Sequence, residues 1–514
     1  MTPRPSTASR FPLVWALVLV ALFALRLPHL TGPLDDPHSW RQADTVYATW
    51  SFWRHGIDLL HPKVCWLGGH GTLIFEFPLP EAMAALLDRA FGYTPLWDRV
   101  VALAFTALWA FWLHRLARQL TDTFTARVAT TLALIAPLAQ FFSRAPQADF
   151  AAQAFAVGLL DHGLRALRGG GRGHAVMAGA CGVLTALVKG PYLLPVLPPL
   201  ALGALGASLA DLAGVALALA ASAVAFVAWR AHVNAVNGAA PDWSFLSGYY
   251  KEVNPWWWYV GEWRQRFAPA SWIKLLRRLA LEISSPAALL LAAGGALLPR
   301  PAGERVPGAR ALTLAWIAGT VLYVLVFFPL NVIHDYYQIP LVAPVALLAA
   351  LGLRELTRDN RALAVRLAAA LAFAAALALA LAAPHHQGYY RVDELRQAAA
   401  EALDTTVPEG DLVVVVDHDS GYSDPRLLGR ALRAGWAVRA DEVTPALLAR
   451  LTGLGARWLA WVSEPGLARL EPPAFLAGRE SAGGLLVDLD RQVRGRPPSR
   501  LGTLHLYRLG ASPR

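Results

Sequence analysis

Mainly apolar stretches recur along the chain at residues 11–30, 96–114, 126–142, 150–167, 175–189, 191–209, 211–230, 283–299, 311–328, 338–353 and 362–383. A membrane-crossing helix needs roughly 20 such residues, because the hydrocarbon layer is about 30 Å thick and a helix rises about 1.5 Å per residue. The pattern therefore predicts about eleven spans, with Pro and Gly interrupting the region 175–230. The first stretch, FPLVWALVLVALFALRLPHL, has the look of a signal peptide. It is longer than a typical signal core and lacks a small-residue cleavage site, so it reads as a retained span.

Polar segments separate these stretches unevenly. A long first loop, 31–95, follows the first span, and a Trp-rich segment, 231–280, containing NPWWWYVGEWRQRF, follows the seventh. Trp and Arg at this spacing suit the headgroup level, as an interfacial helix or as a flap over a lipid. From 385 to 514 the pattern changes: LVVVVDHD, ARWLAWVS, GGLLVDLD and LHLYRLG read as strands, and RVDELRQAAAEAL and DPRLLGRALRAG as helices. That alternation predicts a small soluble α/β domain after a membrane domain spanning 1–384. DHDSGYSD reads as a strand running into an acidic turn, or as a point of metal or sugar contact. The tail carries no nucleotide-binding glycine pattern.

Composition and charge sharpen this picture. The 514 residues are 56% hydrophobic and 16% charged, against about a quarter charged in ordinary soluble domains. The formal net charge is +10. Arg4 and Arg10, Arg115, Arg118 and Arg127, Arg165, Arg168 and Arg172, Arg300, Arg305 and Arg310, and Arg354, Arg358, Arg361 and Arg366 all fall on one side when the spans are counted. The positive-inside rule makes that side cytoplasmic, so the first loop, the Trp-rich segment and the tail face outward. No basic run with interleaved aromatics points to nucleic acid. Cys65 and Cys181 lie in unlike surroundings, are not expected to pair, and lack metal-ligand spacing.

Four outward-facing stretches carry the chemistry. The first loop packs Asp35, Asp36, His38, Trp40, Arg41, Asp44 and Glu76 among aromatics; SRAPQAD holds Arg144 and Asp149; LVKGPYLLP buries Lys189 in an apolar run; and NVIHDYYQIPLVAP holds His334, Tyr336 and Tyr337. Each has an ordinary explanation alone: a solvated pair of acids, a local ion pair, a snorkelling lysine, an aromatic belt. Charges of both signs gathered on one face of a membrane point together to a site.

In this order the stretches resemble the motifs of the polytopic family 39 glycosyltransferases, the GT-C-fold group that includes the protein O-mannosyltransferases and the lipid A aminoarabinose transferase. WRQADTVYATWSFWRHGIDLLHP is similar to the acidic motif after the first span, FEFPLPEAM to FxKPPL, SRAPQAD to SRxxxxD, LVKGP to LTKGP, and HDYYQIPLVAP to H-x-x-Y-x-x-P. The resemblance covers roughly residues 10–385. Two departures stand out. The family's Asp–Glu pair is Ala43–Asp44 here, which leaves Asp36 or Asp35 as alternative bases. The FxKPPL lysine is Phe77, which removes one candidate phosphate ligand.

The resemblance implies a GT-C-like fold and a polyprenyl-phosphate-linked sugar as donor, handled at the outer leaflet. The acceptor is then a glycolipid, a polysaccharide or a protein hydroxyl. Under that implication Asp44, and after it Asp36 or Asp35, takes the acceptor's proton. Lys189, Arg144, His334 and Arg41 meet the charge on the leaving lipid phosphate. Tyr336, Tyr337, Trp40, Glu76, His38 and Asp149 hold the sugar or the acceptor. Single displacement predicts inversion; no cofactor is implied, and a divalent metal is compatible with the scheme without being indicated. A transporter or flippase would share the many spans. The two halves of the chain show no repeat of the kind transporters carry.

Overall fold

The structure, a computed structural model, describes residues 11–241, 255–298, 308–357, 362–386, 388–418, 421–464, 466–467, 471–476, 485–491 and 499–510. Arg4, Arg10, Arg300, Arg305, Arg358 and Arg361 of the basic clusters lie outside them, as do residues 419–420 of DHDSGYSD and the segment 242–254. In chain order the first helices are α1 (Phe11–Ala24), α2 (Ser39–His55), α3 (Leu79–Phe91), α4 (Leu96–Leu120), α5 (Thr123–Ile135), α6 (Pro137–Phe142), α7 (Asp149–Leu167), α8 (Arg172–Lys189), α9 (Leu197–Gly203) and α10 (Leu209–Gly238).

Contacts divide the chain into two units. The first comprises residues 1–31, 99–230 and 255–389, the second 32–98, 231–254 and 390–514. This differs from a cut in chain order at residue 385, because the first loop packs with the tail.

The first unit is helical. Five helices among the described residues are long and apolar enough to cross a membrane, and six if the bent pair Pro269–Ile283 and Pro286–Leu297 counts as one. The chain is a multi-pass membrane protein. One of the five is the helical run Arg172–Gly203, and its contacts show that it doubles back. Gly158 of α7 faces Cys181, Gly163 faces Leu200, and Gly203 faces Leu164, so α8 and α9 pass α7 in opposite directions. The turn falls at Lys189, whose φ of −158° and ψ of 79° leave the helix. Gly190 and two prolines then carry the chain through the 3₁₀ segment Gly190–Val196.

Small residues let helices approach closely, as is common where lipid supplies no hydrophobic drive. A methyl group on Gly295 or Gly352 would meet the backbone carbonyl of Leu348 or Leu291, so the helices Pro286–Leu297 and Val342–Leu356 touch backbone to backbone. Side-chain caps fix helix starts: Asp122 accepts from Thr125 N at 2.9 Å ahead of α5, and Ser285 accepts from Ala288 N at 3.2 Å ahead of Pro286.

The second unit is built on a five-stranded sheet of order β2-β1-β3-β5-β4, with β1 (Leu412–Val416), β2 (Gly435–Ala437), β3 (Ala456–Ser463), β4 (Leu485–Arg491) and β5 (Ser499–Arg508). β2, β1 and β3 are parallel, and β5 runs antiparallel to β3 and β4. Val413–Val416 are fully buried, as a central strand covered on both faces requires. The strands expected from sequence are present; the helix expected over DPRLLGRALRAG is shorter. It spans Arg426–Arg430 and gives way to β2, because Gly435 lies where any Cβ would strike Val413 O.

First-loop side chains complete this domain's core. Tyr47, Trp50, Val64, Cys65, Trp66, Leu67 and Leu73 pack with Leu395, Leu403, Val413, Val415 and Leu506. The backbone is joined as well: Gly435 N donates to Cys65 O at 2.7 Å, Gly68 N to Gly435 O at 2.7 Å, and Asp36 N to Arg391 O at 2.7 Å. Cys65 and Cys181 are buried free thiols.

Candidate active site

In the first unit the turn at Lys189 meets the start of α7. Lys189 Nζ donates to Asp149 Oδ1 at 2.6 Å, and Tyr192 Oη donates to the same oxygen at 2.5 Å. All three side chains are buried. The ammonium also faces the rings of Tyr337 at 4.3 Å, Tyr336 at 5.0 Å and Tyr192 at 5.2 Å. Such desolvated cation–π contacts hold a charge where water does not reach.

The Tyr336 and Tyr337 rings come from the 3₁₀ turn Tyr336–Leu341, started by Asp335, whose Oδ1 accepts from Tyr336 N at 2.7 Å; the Tyr192 ring comes from Gly190–Val196. His334 stacks on Tyr336 at 5.2 Å and on Tyr337 at 5.8 Å, so it belongs to the same cluster. Arg278, at the end of the helix Pro269–Arg278, donates to the carbonyls of Asn331 at 2.8 Å, Val332 at 3.2 Å and Ile333 at 3.3 Å. It thereby fixes the strand of chain that delivers His334. That helix works as a brace, and the Trp-rich segment also reaches the cluster directly, through the Trp258 ring 6.2 Å from that of His334.

Arg144 is placed differently from the sequence reading. Its Nη1 donates to His29 O at 3.1 Å and its guanidinium lies over the Phe141 ring at 4.9 Å, so it ties the SRAPQAD turn to the end of the first span. The neighbouring Phe142 touches Tyr336, at 5.7 Å between ring centroids.

Beside the cluster lies an apolar cavity of about 320 Å³, walled by Trp272, Leu275, Leu279, Ala292, Val324 and Leu348 among others. Its polar lining residue is Gln338, from the turn that carries Tyr336 and Tyr337.

The second unit holds the carboxylates. α2 and α3 flank a cleft lined by Arg41, Asp44, Thr45, Lys63, Glu76 and Glu81, with apolar neighbours. Its free space of about 20 Å³ accommodates a water molecule. Asp44 is buried, and its Oδ1 accepts from Trp66 Nε1 at 3.1 Å. Arg41 is ion-paired with Glu76 and lies over the Phe75 ring at 4.9 Å. Burial raises the Glu81 carboxyl from its ordinary 4.5 to about 7.

Asp35, Asp36 and His38 precede α2 and do not line this cleft. Asp36 Oδ1 accepts from Ser39 N at 3.1 Å, which caps the helix start, and Asp35 O accepts from Gln42 Nε2 at 2.6 Å. His38 adopts φ 62° at the N-cap, a left-handed conformation uncommon outside Gly, Asn and Asp. Trp40 is half-buried in the first turn.

Sequence reasoning missed Tyr192, Trp66 and Glu81. A tyrosine directly after KGP in an apolar run was a usable signal, because a buried hydroxyl needs a partner. Nothing comparable marked Trp66, whose indole reaches Asp44 from 22 residues away in sequence. Among the described residues no group of three or more His, Cys, Asp or Glu side chains is arranged to hold a metal.

No family model and no curated protein matches the chain in sequence. Among solved structures it is similar to ArnT from Cupriavidus metallidurans bound to undecaprenyl phosphate, with TM-score 0.59, 12% identity, and 97% of this chain and 98% of that one covered. It is also similar to the archaeal oligosaccharyltransferase AglB from Archaeoglobus fulgidus in complex with an inhibitory peptide and a dolichol-phosphate, with TM-score 0.58, 13% identity, and coverage of 88% and 70%. The fold is the GT-C fold of polytopic glycosyltransferases.

Proposed function

We propose that this chain is an inverting glycosyltransferase. It moves a sugar from a polyprenyl-phosphate donor to a hydroxyl acceptor at the outer face of the cytoplasmic membrane, crossing that membrane about eleven times. The observation that carries the proposal lies within the first unit. A buried cation with aromatic walls and an apolar cavity share one turn, Tyr336–Leu341. A charged head beside a greasy slot is the shape of an anionic lipid's site. The fold neighbours with undecaprenyl phosphate and dolichol-phosphate in their structures support the same donor class.

The roles follow from charge. As the sugar–phosphate bond breaks, negative charge grows on the lipid phosphate, and a cation preorganised in a dry site stabilises it. Lys189 fits: it spends one of three ammonium donors on Asp149 and keeps the rest for the phosphate. Asp149 and Tyr192 aim it, and His334 with Tyr336 and Tyr337 walls the sugar-phosphate. Arg144 serves by holding the turn. Asp44 takes the acceptor's proton as its oxygen attacks the anomeric carbon. It is preferred over Asp36 because the Asp36 carboxylate caps α2. Arg41 and Glu76 line the same cleft and orient the incoming hydroxyl. The acceptor is a glycolipid, a surface polysaccharide or a protein.

The test is mass spectrometry of membrane lipids and envelope glycans from cells with and without the gene. Loss of one glycosylated product, with its unmodified acceptor accumulating, is expected. Unchanged glycans together with altered small-solute uptake would replace the enzyme by a transporter.

A further inference from the structure

Three carboxylic side chains around the α2–α3 contact form no ion pair among the described residues. Glu81, Asp88 and Asp98 are 7%, 1% and 4% exposed. In each, one oxygen is buried without a hydrogen-bond partner: Glu81 Oε2, Asp88 Oδ2 and Asp98 Oδ2. The remaining oxygens of the two aspartates are engaged, Asp88 Oδ1 by Thr94 N at 2.9 Å and Asp98 Oδ1 by Thr49 Oγ1 at 2.5 Å. An ionised carboxylate left this way is costly, so such groups either keep a proton or pass one on.

Their placement is ordered. Glu81 lines the cleft that holds Asp44, and so does Thr45, whose buried hydroxyl also lacks a partner. Thr45 and Thr49 stand one turn apart on α2, while Glu81 and Asp88 stand two turns apart on α3. Asp98 lies within electrostatic reach of both Glu81 and Asp88. Acidic groups thus run from the cleft to the far end of α3.

We propose that Glu81, Asp98 and Asp88 form a proton-release path from Asp44 to the outer water. The path rests on the glycosyl-transfer reading, because that reaction makes a proton that must leave. The acceptor's oxygen bonds to the anomeric carbon, the bond from that carbon to the phosphate oxygen breaks, and the polyprenyl phosphate departs with the electron pair. The acceptor's proton goes to Asp44, through the water-sized cleft to Glu81, and by way of Asp98 to the buried Asp88, next in sequence to the exposed Arg89 and Ala90 where α3 meets solvent. The Thr49 hydroxyl donates to Asp98 Oδ1 at 2.5 Å, at the second step of the path. Burial supports the assignment, since it raises Glu81 to about 7 and Asp88 to about 6, where each exchanges protons readily near neutrality. Of the charged groups around Glu81, Arg41 favours its ionised form and Glu76 opposes it; Asp44 and Lys63 line the same cleft, and Asp98 lies within electrostatic reach.

Two measurements on the full-length protein test the path. In lipid nanodiscs at about pH 5, infrared spectra should show a protonated-carboxyl band that Glu81→Gln and Asp88→Asn each diminish. In isolated membranes supplying their own prenyl-linked donor, Glu81→Gln should cut product formation about 10-fold or more. It should also abolish the fall in rate below pH 7, and added formate should restore the rate. Wild-type rate and pH profile in Glu81→Gln, or a loss that formate leaves unchanged, would overturn the path. If wild-type membranes form no product, the transfer reading fails instead. The infrared band then decides the path alone, and its absence overturns it.

Discussion

The two units treat buried charge in opposite ways. In the first, Lys189, Asp149 and Tyr192 share one carboxylate oxygen and are walled by tyrosine rings. In the second, Asp44 is held by Trp66, but Glu81, Asp88 and Asp98 around it each leave an oxygen unmatched. A site that binds charge gains from having its cation held in place beforehand, because little reorganises when the ligand arrives. A site that moves protons gains from groups whose protonated and ionised forms are close in free energy. Under the transfer reading proposed above, binding falls to groups of the first unit and proton handling to groups of the second.

The strongest way to break that assignment is Asp44→Asn. The amide keeps an oxygen for Trp66 Nε1 and nearly the same volume, so folding should be unchanged. Turnover in isolated membranes should fall by roughly 10²- to 10⁴-fold, the usual worth of a positioned acid or base. Binding of undecaprenyl phosphate to the purified variant should match the wild type. A near-normal rate would return the proton-handling role to Asp36 or Asp35.

This division of labour was only half legible in the sequence. The membrane character was visible because hydrocarbon demands long apolar runs, although against about eleven expected spans the described residues hold five helices of sufficient length, or six with the bent pair. The break at Lys189 was visible because Gly and Pro interrupt the run. The cluster of Lys189 with Asp149, His334 and the two tyrosines was foreseen as a set, since each is a polar residue stranded beside the membrane. Arg144 was expected at the donor phosphate, and its bond to the carbonyl of His29 could not be read from a cation in a turn. The union of first loop and tail was invisible. It depends on Tyr47, Trp50 and Trp66 packing against strands more than 300 residues later, and no local pattern encodes such a contact. Glu81 was overlooked because its character comes from burial, which a glutamate in an amphipathic helix does not announce.

A pair of charge-removal cycles sharpens the comparison next. Lys189 and Asp149 are buried together, so removing either strands the other. Lys189→Met or Asp149→Leu alone should cost about 3–5 kcal/mol. The double variant should recover most of that loss. The Arg41–Glu76 pair in the second unit is 11% and 20% exposed at its side chains. Arg41→Met or Glu76→Gln should therefore cost less than the fully buried pair, about 1–3 kcal/mol. Unfolding midpoints of the purified variants in one detergent measure both. Equal costs in the two cycles would erase the distinction between a committed site and a loose one.

The last effect is the most specific, because its size depends on pH. Burial raises Glu81 from 4.5 to about 7, so the folded protein holds that proton more tightly than the unfolded chain does. Between those pH values the folded state binds more protons, and stability must fall as pH rises. The contribution is intact below pH 4.5, is lost through the window, and is gone above about pH 7. Glu81→Gln removes the titration. Its unfolding midpoint should equal the wild type's at pH 4, and above pH 7 the variant should be the more stable by on the order of 3 kcal/mol. Asp88→Asn should act in the same direction between 3.8 and about 6. No such gain can come from Lys189 or Asp149, where each charge has its partner and removal only subtracts. A variant at Glu81 that is less stable than wild type at every pH would mean that its carboxylate is paired, and the cleft would then resemble the committed site.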